Sequence, residues 1–272
     1  MKIFISADIE GVAGVVVPAH GQPGNPEYER ARRLMTLEVN AAIAGAFDGG
    51  ANTVLVNDSH GPQLNILPDL LDARAELILG RPKPAGMCAG LEVGFDAVFF
   101  TGYHAGAGQP GVLSHTINGF AFASIRLNGI DCAEATLYGA YAGSLGVPVA
   151  LLSGDDCLMA QCGPMFPGAQ QVVVKHALGQ RAARALSPEM ACHAIRHGAT
   201  TALRHLDACQ PAIIDAPYRL EIALNAIAIA DLAAIIPVAQ RLSPRVVAFD
   251  AGSMGDVLGW INTISALSAS LR

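Results

Sequence analysis

Four apolar runs, at residues 3–7, 53–56, 97–101 and 147–152, each break off at side chains able to bind a cation or carry a proton. The first runs into Asp8 and Glu10, and the second into Asn57, Asp58 and His60. The third runs into Tyr103 and His104, and the fourth into Asp155 and Asp156. Between the first two lies a stretch with helical spacing, 25–49, where Leu34, Val39, Ile43 and Phe47 share one face and Gly49-Gly50 supplies the stop. Short apolar strands alternating with helices are the pattern of an α/β fold around a mostly parallel sheet with flanking helices. In such sheets functional groups collect at the carboxyl ends of the strands. The repeated polar ending therefore points to one site assembled from several strands.

The remaining segments extend this pattern. Residues 117–127 read as a strand with Asn128-Gly129 as a hairpin turn, and 133–142 as a helix. Past Pro164 the spacing changes. Residues 171–175 read as a strand, and Ser187-Pro188-Glu189 starts a helix that runs to about His205. Residues 212–224, 227–239, 245–249 and 257–271 then read strand, helix, strand, helix. The expected organisation is a metal-site α/β domain over 1–165 and a smaller C-terminal α/β part over 166–272.

Composition narrows the function classes. Of the 272 residues, 52% are hydrophobic and only 15% charged, which implies extensive buried surface, some of it between subunits of a homo-oligomer. The net charge is −6 without a basic run, and Arg30, Arg32 and Arg33 read as a helix surface, so nucleic acid and anionic membrane are poor partners. Residues 220–239 are interrupted by Glu221, Asn225 and Asp231, too polar for a bilayer crossing, and residues 3–9 are too short for a signal peptide. The six cysteines form no CxxC pair and read as reduced thiols, so a cytoplasmic location is expected.

The chemistry lies in the strand ends. Asp8 and Glu10 are two apart and point to the same side if the strand continues. Carboxylates that close repel unless a cation lies between them. Gly11 and Gly14 fit a tight loop whose backbone passes close to something. His60 and His104 are natural zinc ligands as neutral imidazoles. Glu134 opens a mostly apolar helix. Each has an ordinary alternative: a solvated strand end, a loop histidine with a local partner, an acid favoured by the helix dipole. Together they make three carboxylates and two imidazoles, the mixed ligand set of a two-metal hydrolytic site. Competing motifs fail. Residues 106–111 spell GxGxxG, but Pro110 and the following Val112-Leu113-Ser114-His115 do not open a helix. No GxxxxGK[ST] or GxSxG is present, and His193 and His197 lack the glutamate of HExxH.

The segment Ser6-Ala7-Asp8-Ile9-Glu10-Gly11 resembles the SxDxEG signature of the D-aminopeptidase family, the dinuclear zinc peptidases. The resemblance continues through Asn57-Asp58-Ser59-His60, Gly102-Tyr103-His104-Ala105, Pro110 to His115, Ser153-Gly154-Asp155-Asp156 and Val174-Lys175. It implies that Asp8 bridges two zinc ions, that Glu10, His60, His104 and Glu134 complete the ligands, and that His115 is an additional catalytic histidine. It also implies a short peptide as substrate, release of N-terminal D-amino acids, and a large ring-like homo-oligomer. An aminopeptidase must hold the substrate's free amine, for which Asp155, Asp156 or a metal are candidates. The alternatives are a metal-dependent amidohydrolase acting on another small amide, and a metal-binding protein with no open coordination position.

Overall fold

Residues Lys2–Ala7 (β1) form a strand that is apolar on both sides. Ile3 and Ile5 enter one hydrophobic core and Phe4 the other, the pattern of a central strand covered on both faces. The computed structural model describes residues Met1–Arg272. After β1 come α1 (Pro26–Asp48), β2 (Thr53–Asp58), β3 (Ala75–Ile78), β4 (Ala97–Tyr103), β5 (Phe122–Leu127) and β6 (Ile130–Asp131). Next are α2 (Glu134–Ser144), β7 (Val149–Asp155), α3 (Asp156–Cys162), β8 (Gln170–Gly179), β9 (Ala182–Ala185) and α4 (Pro188–Arg204). The chain closes with β10 (Tyr218–Leu224), α5 (Ile227–Ala233), β11 (Gln240–Ser243), β12 (Val246–Ala251) and α6 (Met254–Ser268). Caps written in the sequence start the long helices. Asn25 accepts from the Tyr28 N–H ahead of Pro26, Ser187 accepts from Met190, and Ser253 with Asp256 forms a capping box.

Seven strands form one sheet in the order β3-β2-β1-β4-β7-β8-β9, parallel throughout except for β9. The helices α1 and α4 bury its Ile3/Ile5 face. Helix α2 covers the opposite face, where α6 and a five-stranded antiparallel sheet, β11-β12-β10-β5-β6, complete the second core. The fold is mixed α/β with a mostly parallel sheet, as the alternating pattern predicts. No helix is long and apolar enough to cross a membrane.

Several segments differ from the sequence reading. Residues 117–121 are not strand: Ile117 has a φ of 62°, and the loop folds back on Asn118 before β5 begins at Phe122. Strand β10 starts only at Tyr218, after the cis Ala216–Pro217 bond, and α5 ends at Ala233 rather than reaching residue 239. The sheets are not divided at residue 165. Strands β8 and β9 extend the first sheet, whereas β5 and β6 belong to the second. Apolar spacing reports that a segment is buried, but not which strand it pairs with.

The sheet order places the functional end. From β1 the chain passes to β2 on one side, and β4 then joins β1 on the other. The strand order reverses between β1 and β4, and a crevice opens there at the carboxyl ends.

Candidate active site

Two glycines let the first loop reach the crevice. Beyond Ala7 the backbone crosses the end of β4: Asp8 N–H donates to Thr101 O at 2.8 Å and Gly11 N–H to Gly102 O at 2.7 Å. A Cβ on Gly11 would collide with the Tyr103 carbonyl, and one on Gly102, which sits at φ +68°, with the Asp8 carbonyl. This backbone-on-backbone approach brings Asp8 and Glu10 beside His104, the residue that follows β4.

His60 arrives on a loop ordered by Asp58. The buried Asp58 carboxylate accepts from Asn65 N–H at 2.6 Å, Ile66 N–H at 2.7 Å and the Asn65 amide at 2.7 Å. Glu134 stands in the first turn of α2, and its Oε1 accepts from Ile117 N–H at 2.6 Å. His115 lies between two residues with positive φ, Leu113 at 54° and Ile117 at 62°. Non-glycine residues adopt this conformation at a cost, and Ile117, being β-branched, at a larger one. The turn is held by Leu113 N–H to Gln180 O, His115 N–H to Ala105 O, and Thr116, whose hydroxyl bridges Ala107 and Cys132.

The structure gathers Asp8, Glu10, His60, His104, Glu134 and His115 into one cluster. His60 Nδ1 lies 2.8 Å from Glu10 Oε2 and 3.3 Å from Asp8 Oδ1. His104 Nε2 lies 3.4 Å from Asp8 Oδ2 and 3.6 Å from Glu134 Oε2. His115 Nε2 is 3.9 Å from Glu10 Oε1 and 3.8 Å from Glu134 Oε1, and its ring stacks on that of His104 at 4.4 Å. The ligand atoms fall into overlapping groups, each within 4.8 Å: Asp8, Glu10 and His60; Asp8, His104 and Glu134; and Glu10, His104 and His115. Asp8 is common to the first two.

The far nitrogen of each imidazole pairs with a backbone carbonyl: His60 Nε2 with Gly21 O, His104 Nδ1 with Ala105 O and His115 Nδ1 with Leu113 O, at 2.8–2.9 Å. Donation there turns the other nitrogen's lone pair toward the carboxylates, the arrangement usual behind metal-bound histidines. Despite the short distances, the buried Glu10 Oε2 and His104 Nε2 form no aligned hydrogen bond. Leaving such atoms unpartnered costs about 1–3 kcal/mol each. Acceptors gathered on either side of Asp8 without donors between them suit cations, and this donor set of carboxylate oxygens and imidazole nitrogens fits zinc. Without a cation the charges satisfy one another. Burial works against ionisation, yet the His104 and His60 imidazoles hold Asp8 well below the usual carboxylate range. Burial likewise opposes the imidazolium, but Glu10 with Asp8 raises His60, and Glu134 with Asp8 raises His104, well above an ordinary histidine.

The cluster lies in a cleft of about 1360 Å³. Asp155 and Asp156 do not line it. The buried Asp155 caps α3 through Leu158 N–H at 2.8 Å and accepts from Val112 N–H at 2.7 Å. Asp156 accepts from Ala177 N–H and pairs with His176. Both carboxylates are occupied in holding loops, and neither is placed to receive a substrate amine.

By sequence Lys175 belongs only to a motif and carries no role. It is 1% exposed, and its ammonium donates to three carbonyls of the loop after β1: Glu10, Val12 at 3.0 Å and Val15 at 2.6 Å. Glu38 takes the same loop from its N–H side, accepting from Ala13 at 2.8 Å. Burial pushes Lys175 down to about 8 while Glu38 favours its charge, and burial pushes Glu38 up to about 7. A lysine on β8, among strand residues that are otherwise mostly apolar, was the available signal, but its partners lie about 160 residues earlier. Lys175→Met is expected to weaken zinc binding about 10–100-fold, the range for residues that support metal ligands from behind. Zinc titration of the purified variant checks this, and wild-type affinity would show that the loop holds its shape without the lysine.

Comparison with known proteins shows the family. A family model described as D-aminopeptidase matches residues 1–263. A D-aminopeptidase of Bacillus subtilis (strain 168) is 36% identical over 211 residues, 78% of this chain and 77% of that protein. The solved structure of the Zn-dependent D-aminopeptidase DppA from Bacillus subtilis, described as a self-compartmentalizing protease, superposes with a TM-score of 0.96 at 31% identity. That superposition covers 99% of this chain and 98% of the other.

Proposed function

The chain belongs to the D-aminopeptidase family, and on that premise we propose that it is a zinc-dependent enzyme releasing N-terminal D-amino acids from short peptides. The observation that carries the metal reading is the convergence of unpartnered buried acceptors, Glu10 Oε2 and His104 Nε2, on either side of Asp8. In this reading Asp8 would serve two zinc sites, one that Glu10 and His60 would complete and another that His104 and Glu134 would complete. Zinc at these positions supplies acidification of a water and polarisation of the scissile carbonyl.

The protein's own side chains do the rest. Gly11 and Gly102 fix the distance between the first loop and His104, and the carbonyls behind the imidazoles fix their tautomers. His115 is a quarter exposed to the cleft, and its Nε2 faces the cluster. It takes a proton from the attacking water and returns it to the leaving amine. The substrate amine is held within the cluster, since Asp155 and Asp156 are engaged elsewhere.

A homo-oligomer follows from the likeness to a self-compartmentalizing relative and from apolar side chains left on the surface, among them Ile213, Ile235 and Val238. The six free cysteines, four of them buried, support a reducing compartment, the cytoplasm.

The decisive experiment is hydrolysis of D-Ala-D-Ala beside L-Ala-L-Ala by zinc-loaded protein, with a chelated control. Cleavage of the D-peptide alone, lost on chelation, is the expected outcome. Hydrolysis that survives chelation would refute the metal reading. Cleavage of the L-peptide alone would refute the substrate hand.

A further inference from the structure

Away from the ligand cluster, the charged side chains lining the cleft are all of one sign. Arg81, Lys83, Arg181 and Arg272 lie in its wall, and its only acidic residues are Asp8, Glu10 and Glu134. The chain as a whole has 23 acidic against 17 basic residues, so the wall runs against the overall balance. None of these four cations is paired with a carboxylate, whereas seven other arginines are. Unpaired cations gathered in a concave wall raise the local concentration of anions.

Lys83 is the best placed of the four. It is half-buried, whereas Arg81, Arg181 and Arg272 are exposed. Its ammonium donates to Asn57 Oδ1 at 2.6 Å and to Asp58 O at 2.7 Å, at the end of β2. Those two acceptors are neutral, and an ammonium has three donors. One N–H therefore remains for a ligand, on a head group already immobilised. The strand end that holds it leads within two residues to His60.

We propose that Lys83 binds the free C-terminal carboxylate of a short peptide substrate, with the exposed arginines of the wall adding attraction at longer range. The proposal rests on the reading of this site as a peptidase and names the substrate class more closely: short peptides with an unblocked carboxyl end. The carboxylate accepts the remaining N–H in a charge-assisted hydrogen bond.

The test compares D-Ala-D-Ala with its C-terminal amide on zinc-loaded protein, using D-alanine p-nitroanilide, which has no carboxylate, to read hydrolysis itself. The wild type is expected to prefer the acid about 10–100-fold in kcat/KM, the worth of one hydrogen bond to a charged group. Lys83→Met should bring the acid-to-amide ratio close to one, mainly through KM for the acid, and Lys83→Arg should retain most of the preference. An acid-to-amide ratio near one in the wild type overturns the proposal. So does an equal fall for acid and amide in Lys83→Met, which would make Lys83 a strut for the His60 loop. If no substrate including the anilide is cleaved, the peptidase reading fails separately. Calorimetry of acid and amide binding then decides the carboxylate site, and equal affinities refute it.

Discussion

Asp8→Ala protein is expected to bind neither zinc ion and to lose peptide hydrolysis by at least about 10³-fold, the scale of effect seen when one positioned charge-stabilising group is removed. Asp8 is the one carboxylate shared by the two ligand groups, so its loss breaks both at once. In the proposed assignment Glu10→Ala or Glu134→Ala removes a ligand from one zinc set only and should leave part of the metal bound. Zinc content by elemental analysis, beside hydrolysis of D-Ala-D-Ala, reads the difference, and circular dichroism checks that each variant folds. Asp8→Ala that retains two zinc ions per chain would sink the shared-ligand assignment. The same cluster sets a pH dependence. In the metal-free protein burial disfavours charge on His60 and His104, but the surrounding carboxylates raise both well above an ordinary histidine. A cation must displace those protons, so zinc uptake releases protons and weakens as pH falls.

His115→Ala is expected to keep its zinc and lose about 10²–10⁴-fold in kcat, the contribution of a general acid–base group. The wild-type pH–rate profile should lose one limb in this variant. The assignment has a specific competitor within the structure, because His115 Nε2 also lies within ligand distance of the group formed with Glu10 and His104. Greater exposure separates His115 from the other two histidines of the cluster: its side chain is 25% exposed, against 13% for His60 and 1% for His104. A group that exchanges protons with substrate and solvent needs that access, whereas a ligand does not. Loss of zinc in His115→Ala would make it a ligand and leave the proton transfer without a carrier.

Much of this architecture is local in origin. Runs apolar at every position, such as 97–100, are legible as buried parallel strands because both faces need covering. Asn25-Pro26 and Ser187-Pro188 mark helix starts because the cap bonds form within three residues. The residue types at the strand ends, Asp8, Glu10, His60 and His104, are visible for the same reason: they interrupt otherwise apolar or turn-rich segments. Glu134 carries only a faint local signal, an acid opening an apolar helix, and His115 is a candidate through resemblance alone, since a loop histidine has no distinguishing pattern.

Other features depend on contacts between distant segments. The crossing of the first loop over β4 needs Gly11 and Gly102 together, and neither glycine alone announces the other. Lys175 is an unremarkable strand lysine until the fold sets its ammonium under the carbonyls of Glu10, Val12 and Val15. Asp155 and Asp156 stand at a strand end like Asp8 and Glu10, yet their oxygens are taken by backbone N–H groups from other loops. The chain's own order of residues sets burial, helix capping and the chemical character of each strand end, because these rest on neighbours a few residues apart. Which acids face the cleft and which only hold loops is set by strand order and loop crossings, because those rest on the partners available in the folded molecule.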